Sequence, residues 1–328
     1  MVLGCGDSDI LIEIDSRQVP ISAGASGLVA RSFPRDTRIL VLGAGGWFGR
    51  TFISLLANAK CVTLLIGTSS RTIWVNSAPH KVVPWSEQTV LDFAPDVVVD
   101  FAYLTPRYVD TFGPVEYARA NRELCEKVLW LSSQESVLRI ITASSGAIYE
   151  TKAPGRGSPP KSLYGQLKRE FEEELSASSE RDGTRVVIAR AFSVSGGFVR
   201  FPREYALSAF VLQALEDRNI VVDSSSLVYR RYCAAEDLLA VAVGMSSAPG
   251  TVQFDSGGEL VEMLDLARMV SDVSSQEVTV TAELNRGTSD SDDYHSDNLD
   301  WTEALRLTDH KPLELREQIV RLFEAFSP

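Results

Sequence analysis

Residues 38–49, Arg38 to Gly49, read RILVLGAGGWFG, and their reading decides the fold. The apolar run Ile39 to Leu42 predicts a buried strand. Glycines follow at Gly43, Gly46 and Gly49, and an amphipathic stretch, Thr51 to Ala59, comes next. Strand, glycine turn and helix in that order are the context a dinucleotide-binding fingerprint requires. Gly43 permits the tight turn, Gly46 lets backbone approach a pyrophosphate, and Gly49 lets helix and strand pack. The helix N-terminus then offers unpaired N–H groups and partial positive charge to phosphates. The spacing is GxxGxxG. The GxGxxG form fails, because Phe48 stands where its third glycine belongs. The competing reading is a plain glycine turn.

Working outward, the chain has 328 residues, 45% hydrophobic and 23% charged, enough for one large or two modest domains with a sizeable core. Its formal charge of −12 argues against nucleic acid or an anionic membrane as the main partner. An anionic ligand must therefore be held by local positive charge and backbone N–H groups. Cysteines at 5, 61, 125 and 233 show neither metal nor disulfide spacing, and no metal site is expected. No stretch resembles a signal peptide, and no apolar run reaches about 18 residues, so a cytoplasmic location is the default.

From Arg38 to about Arg190, strand-like runs alternate with helical stretches. The runs are Ile39–Leu42, Val62–Ile66, Val97–Phe101, Leu138–Ala143 and Val186–Ala189, rich in Val, Ile and Leu without alternation, as strands buried on both faces are. Helical stretches lie near 115–132 and 162–178. The pattern predicts an α/β fold, a doubly wound parallel (Rossmann) sheet with a smaller, mostly C-terminal substrate domain. Residues 1–36 form an arm in front of it, in which Ile10–Ile14 could be a strand. Gly24 to Ala30 imitates the fingerprint but follows Pro20 and polar residues rather than a strand, and so reads as a decoy. Whether the arm packs on the body is left open. The nucleotide-binding domain is expected over 37–192, with 233–256 returning to it. The substrate domain is expected from 193–232 and 257–328. There Pro202–Arg218 and Glu236–Met245 read as helices, and Ile220–Val222, Leu227–Tyr232 and Glu277–Thr281 as strands. Thr251–Phe254 reads as a last strand rejoining the sheet, and Pro312 as the opening of the final helix. The acidic, serine-rich stretch Thr288–Asp300 lacks the turn glycine and closing Glu of a calcium loop, and reads as a solvated loop.

Two constellations carry chemistry. Tyr164 and Lys168 stand four apart and share one helix face. A free tyrosine has a pKa of about 10, and a neighbouring ammonium favours the phenolate. The alternative is an exposed tyrosine beside a surface lysine. In Ile140 to Tyr149, IITASSGAIY, a strand ends in Ser144 and Ser145 at the carboxyl edge of the sheet, where ligands bind. A hydroxyl there can donate to a carbonyl oxygen as charge develops on it. The alternative is that the serines only cap the strand.

Gly43/Gly46/Gly49, the serine after the fifth strand and Tyr164/Lys168 resemble the extended short-chain dehydrogenase/reductase family, and more closely its NAD(P)-dependent nucleotide-sugar epimerase/dehydratase branch. The resemblance runs from about residue 37 onward. Asn121 sits where the branch has an asparagine in its fourth helix. Arg190 to Gly196, RAFSVSG, resembles its R-x-F-N-x-Y-G turn, and Arg230 to Asp237 its R-x-Y-x-x-x-x-D segment. Asp255 to Gly258 resembles its N-x-G-x-G turn. The resemblance implies Tyr164 as general acid or base, Lys168 as holder of the nicotinamide ribose, and Ser145, with Ser144 the weaker choice, as catalytic serine. It implies cofactor contacts at Gly43, Gly46, Trp47, Phe48, Gly49, Ser69, Arg71, Phe101, Ala102, Asn121 and Phe192. It implies substrate contacts at Ser144, Ser145, Ser193 and Arg230, with Arg230 on the pyrophosphate and Arg231 its rival. A nucleotide-sugar substrate and a homodimer paired through the fourth and fifth helices are implied as well.

The departures from the branch matter. Dehydratases have T-D-E at the serine site, and this chain has Ser145-Gly146-Ala147, which argues against dehydration. Ser193 replaces an asparagine. Val83-Pro84-Trp85 lacks the Asp that follows the third strand. After the second strand, Ile66 to Arg71 (IGTSSR) carries no carboxylate to bond a ribose 2′-hydroxyl. Its hydroxyls and Arg71 suit a 2′-phosphate, so NADP is expected, with NAD the alternative. The leading expectation is an NADPH-dependent reductase of a nucleoside-diphosphate keto-deoxy sugar. The rivals are a nucleotide-sugar epimerase and a non-catalytic NADP-binding regulatory protein.

Overall fold

The computed structural model describes residues 15–149, 162–216, 218–224, 226–282 and 287–327. Its first half runs α1 (Ala23–Ser32), β1 (Arg38–Leu42), α2 (Trp47–Leu55), β2 (Val62–Gly67), β3 (Arg71–Val75), β4 (Ala78–Pro84), α3 (Glu87–Phe93), β5 (Val97–Asp100), α4 (Pro114–Ser132), β6 (Arg139–Ser145), α5 (Leu163–Asp182) and β7 (Arg185–Ala191). The second half runs β8 (Ser193–Ser195), α6 (Ala206–Glu216), β9 (Asn219–Val222), β10 (Ser226–Ala234), α7 (Ala235–Met245) and β11 (Thr251–Asp255). It continues through β12 (Glu259–Glu262), α8 (Met263–Val273), β13 (Thr279–Ala282), β14 (Gly287–Asp293), α9 (Leu299–Thr308) and α10 (Leu315–Phe326).

An eight-stranded sheet in the order β11-β7-β6-β5-β1-β2-β4-β3 forms the frame, parallel throughout except for β3 at the edge. β1 has β2 on one side and β5 on the other, with Leu40 opposite both Leu64 and Val98. The strand order reverses at that point, which opens the crevice where such sheets bind ligands. The apolar runs do not alternate because both faces are covered. Ile39 and Val41 join a cluster with α1, α2 and α7, while Leu40 and Leu42 join one with α4 and α5 on the opposite face. β11 rejoins the sheet beside β7, with Thr251 opposite Val186, as its sequence suggests.

Four expectations need correction or completion. The sequence reading missed the β3–β4 hairpin, which turns at Asn76 and Ser77, both left-handed with φ of 48° and 63°. Two such residues make the two-residue turn whose twist matches its strands. The arm, left open, is packed down. Gly24–Ala30 lies in α1, which buries Ala25, Leu28 and Val29 in the core shared with α7, and Ser22 caps it through the Ala25 amide at 3.0 Å. Ile10–Ile14 lies outside the described residues. The last helix starts at Leu315 rather than Pro312, and Glu314 and Glu317 form its capping box. Finally, Thr288–Asp300 is not a solvated loop. β14 pairs with β10, Ser296 is buried, and α9 begins at Leu299. Pairing with a neighbouring strand overrides the acidic composition of the segment.

A second core gathers Leu207, Phe210, Val211, Ile220, Tyr232, Leu266 and Ile319 from α6, β9, β10, α8 and α10. It stands beside the carboxyl edge of the large sheet, because β8 leaves β7 there and pairs with β10, Ser193 opposite Tyr232. Among the described residues no helix is long and apolar enough to cross a membrane.

Candidate active site

The glycine turn is enforced by contact. Gly43 has φ of +72°, and a Cβ there would meet the Phe101 backbone at 2.7 Å and the Ala102 amide at 2.8 Å. A Cβ on Gly49 would overlap the Gly43 carbonyl and Ala44, so α2 can lie on β1 only with glycine there. Gly46 meets nothing nearer than the Gly43 carbonyl at 3.3 Å, and no side chain caps the start of α2. Trp47 and Phe48 open that helix, with their rings edge to face at 5.5 Å, and Phe48 lies against Phe101 at 5.9 Å. The Trp47 indole Nε1 is buried without a hydrogen-bond partner. That indole nitrogen faces Gly196, whereas the open Gly46 and the uncapped helix start fit the phosphates of a dinucleotide.

Beyond β2, Ser69 is exposed and Arg71 folds back across Gly45, where a Cβ would collide with its guanidinium. Arg50 lies fully buried under the same turn, donating to the Gly45 carbonyl at 3.2 Å and the Trp74 carbonyl at 2.7 Å. Burial lowers the pKa of both guanidiniums, and the positive charge of Arg200 lowers each further.

Ser145 ends β6 at the same edge. Its Oγ accepts from the Ala147 amide at 3.2 Å and shares a hydrogen bond with the Tyr294 phenol at 3.4 Å. Ser144 Oγ is buried without a partner. Tyr164 stands in the first turn of α5, capped by Ser162 through the Gly165 amide at 3.1 Å, and its ring packs edge-on to Tyr103 at 5.7 Å. Burial pushes the Tyr164 phenol above its ordinary value, and the neighbouring Ser145 hydroxyl opposes that shift. The expected acidification by Lys168 is not what the chain alone sets. Lys168 Nζ donates to the Ala143 carbonyl at 2.8 Å and lies 3.8 Å above the Tyr103 ring. Burial lowers the lysine's pKa, and the buried carboxyl of Asp100 opposes that shift. Asp100 is itself raised by burial and accepts from Thr142 Oγ1 and the Ala102 amide, both at 3.0 Å.

Asn121, expected among the cofactor contacts, is fully buried, and its amide is committed elsewhere. It accepts from the Leu104 amide at 2.8 Å and donates to the Leu104 carbonyl, so it holds the loop after β5 instead. Arg231, the rival of Arg230, donates to the Ser296 and Gly258 carbonyls and ties β10 to the chain around it. Arg230 lines a cleft of about 700 Å³ together with Trp47, Phe192, Ser193 and Tyr205. The Phe192 ring lies against Gly146, between Tyr149 at 6.0 Å and Tyr294 at 5.2 Å.

The sequence reading missed Tyr294, Asp100, Arg50 and Arg200. Each is unremarkable among its sequence neighbours, and Tyr294 stands in the stretch read as solvated. It links Ser145 to the cleft residue Arg230, sharing a hydrogen bond with the serine at 3.4 Å and carrying the Arg230 guanidinium 5.7 Å over its ring.

The model of the NAD dependent epimerase/dehydratase family matches residues 39–253. No protein of curated function matches the chain by sequence. Among solved structures, UDP-glucuronic acid 4-epimerase from Bacillus cereus, in complex with NAD, is 19% identical with a TM-score of 0.67, covering 88% of this chain and 96% of its own. UDP-glucose 4-epimerase from Thermus thermophilus, also with NAD, is 19% identical at TM-score 0.69, covering 88% and 99%. An epimerase from Methanothermobacter thermautotrophicus is 19% identical at 0.69, covering 93% and 95%.

Proposed function

The chain belongs to the NAD dependent epimerase/dehydratase family, and from that premise we propose that it is an NADPH-dependent reductase of a nucleoside-diphosphate keto-deoxy sugar. The observation that carries this reading is the buried Ser145 hydroxyl at the carboxyl edge of the sheet, 3.4 Å from the Tyr294 phenol over whose ring the Arg230 guanidinium lies, with Tyr164 and Lys168 on α5, which packs against β6. A phenol kept protonated by burial is suited to give its proton to a ketone oxygen as that oxygen gains charge. Ser145 Oγ holds the same oxygen by hydrogen bonding. Lys168, one turn beyond Tyr164 on α5 with its ammonium donating to the Ala143 carbonyl, would hold the nicotinamide ribose. Arg230 pairs with substrate phosphate.

The nicotinamide, when bound, supplies the hydride. Gly43, Gly46 and Gly49 with Trp47 and Phe48 would hold its pyrophosphate, and Phe101, Ala102 and Phe192 would line its path. Arg71 across Gly45, with no carboxylate at the end of β2, supports a 2′-phosphate and hence NADP over NAD. Ser145-Gly146-Ala147 supplies no acid pair, which argues against dehydration.

A second reading, an epimerase that oxidises and re-reduces one sugar carbon, is supported by the likeness to UDP-sugar 4-epimerases. It uses the same three side chains. Incubation with a panel of keto and hydroxyl sugar nucleotides, following reduced-cofactor absorbance, separates the two. Cofactor consumed in proportion to product supports the reductase, and turnover without net consumption supports the epimerase. No turnover with any sugar nucleotide, despite dinucleotide binding, returns the reading to a non-catalytic binding protein. The reading includes a homodimer through α4 and α5, to be checked by sedimentation against the 36.0 kDa chain.

A further inference from the structure

The end of β2 offers no carboxylate to the dinucleotide site, but the arm brings one. Asp15 Oδ1 lies 2.6 Å from Arg50 Nη1 and accepts from the Trp74 amide at 3.2 Å. Arg50 is 1% exposed, and its Nη2 is buried without a hydrogen-bond partner. Arg71 lies over Gly45 of the same turn, whose carbonyl Arg50 bonds, and Arg200 acts electrostatically on both. Two guanidiniums thus meet the glycine turn and a third acts on their charge, in a chain whose net charge is −12.

The arm is fastened so that Asp15 stays there. Val19 exchanges hydrogen bonds with Asn76 at the β3–β4 turn, 2.8 and 3.0 Å. Arg17 donates to the Gly197 and Val199 carbonyls at 2.9 and 2.8 Å, immediately before Arg200. The Ser22 amide meets the Glu236 carboxyl at 3.2 Å. The arm is therefore a strap tied both to the hairpin carrying Arg71 and to the segment carrying Arg200. It lies outside the stretch the family model matches, 39–253.

We propose that Asp15 is a specificity-determining residue of the dinucleotide site. Its carboxylate offsets part of the Arg50–Arg71–Arg200 charge and so restrains the preference for a 2′-phosphate over a free 2′-hydroxyl. The inference rests on the reading that this cleft holds a nicotinamide dinucleotide. In an NAD enzyme of this fold the discriminating acid ends the second strand; here it arrives from the arm and faces the arginines. A carboxylate paired with the buried Arg50 lowers the net positive field that a phosphate at Arg71 meets.

The test is the full-length chain with Asp15→Asn and Asp15→Glu, titrated with NADPH and NADH by fluorescence, and with 2′-AMP and 5′-AMP by calorimetry. Asp15→Asn should tighten NADPH and 2′-AMP about two- to fivefold relative to NADH and 5′-AMP, the scale of one partly exposed charge. Asp15→Glu keeps the charge and should keep the wild-type ratio. A ratio unchanged or reversed in Asp15→Asn overturns the proposal. A melting temperature for each variant separates a lost strap from a changed charge, because unfolding weakens all four ligands together. If the wild-type chain binds neither dinucleotide, the cofactor reading itself has failed; if it binds them and only the ratio is insensitive to Asp15, this inference alone has failed.

Discussion

Replacing Tyr164 with Phe removes one hydroxyl and little else. The ring keeps its edge-on contact with Tyr103 at 5.7 Å, and the Ser162 cap of α5 does not involve it. Losing one phenol hydrogen bond costs at most about 0.5–1.5 kcal/mol of stability, and Ser145 keeps its contacts with Ala147 and Tyr294. The variant should therefore fold and bind cofactor as before. If the phenol is the proton donor, kcat should fall at least about 100-fold, equivalent to about 2.7 kcal/mol of transition-state stabilisation. The assay is NADPH absorbance at saturating sugar nucleotide, with kcat and KM resolved and cofactor binding measured separately by fluorescence. A loss confined to KM would assign Tyr164 to binding. A kcat within about threefold of wild type, with binding intact, would remove Tyr164 from proton transfer and with it the mechanism. The pH dependence gives a second check. Burial raises this phenol, so it stays protonated up to and beyond its ordinary value of about 10, and reduction should lose no rate to its ionisation between about pH 6 and 9.

Arg71→Gln should weaken NADPH binding about tenfold or more while leaving NADH within about twofold, a difference near 1.4 kcal/mol; equal losses for both would detach Arg71 from the 2′-phosphate. Gly49→Ala forces a Cβ into the Gly43 carbonyl and Ala44, both backbone. It should lower stability by about 1–3 kcal/mol and abolish dinucleotide binding, as chemical denaturation and titration would read. Burial pushes the Glu236 carboxyl up to about 7, against the pull of Arg321. Such an acid is neutral in the fold where the unfolded chain has ionised it, so its contribution is fullest below about pH 4.3 and falls as pH rises toward about 7. Glu236→Gln should flatten that part of the melting profile, and a profile as steep as wild type would assign the slope to another group.

Much of this protein is legible along the chain. RILVLGAGGWFG alone specifies strand, turn and helix, because a turn with φ of +72° at Gly43 and close backbone approach at Gly49 admit only glycine, and both demands are local. The spacing of Tyr164 and Lys168 places them on one helix, and the uninterrupted Val/Ile/Leu runs mark strands covered on both faces. The tertiary structure decided what depends on meetings between distant segments. It chose Arg230 over Arg231 for the cleft, by committing Arg231 to two carbonyls. It turned Lys168 toward Ala143 and buried the Asp100 carboxyl where its charge acts on that lysine. It folded an acidic stretch into a strand that delivers Tyr294 to Ser145, and fastened an arm to the β3–β4 turn so that Asp15 reaches Arg50. Local conformation is written in each residue's own backbone preferences, whereas charge balance and hydrogen-bond partnership belong to pairs, and a pair 35 or 149 positions apart has no periodicity to announce it.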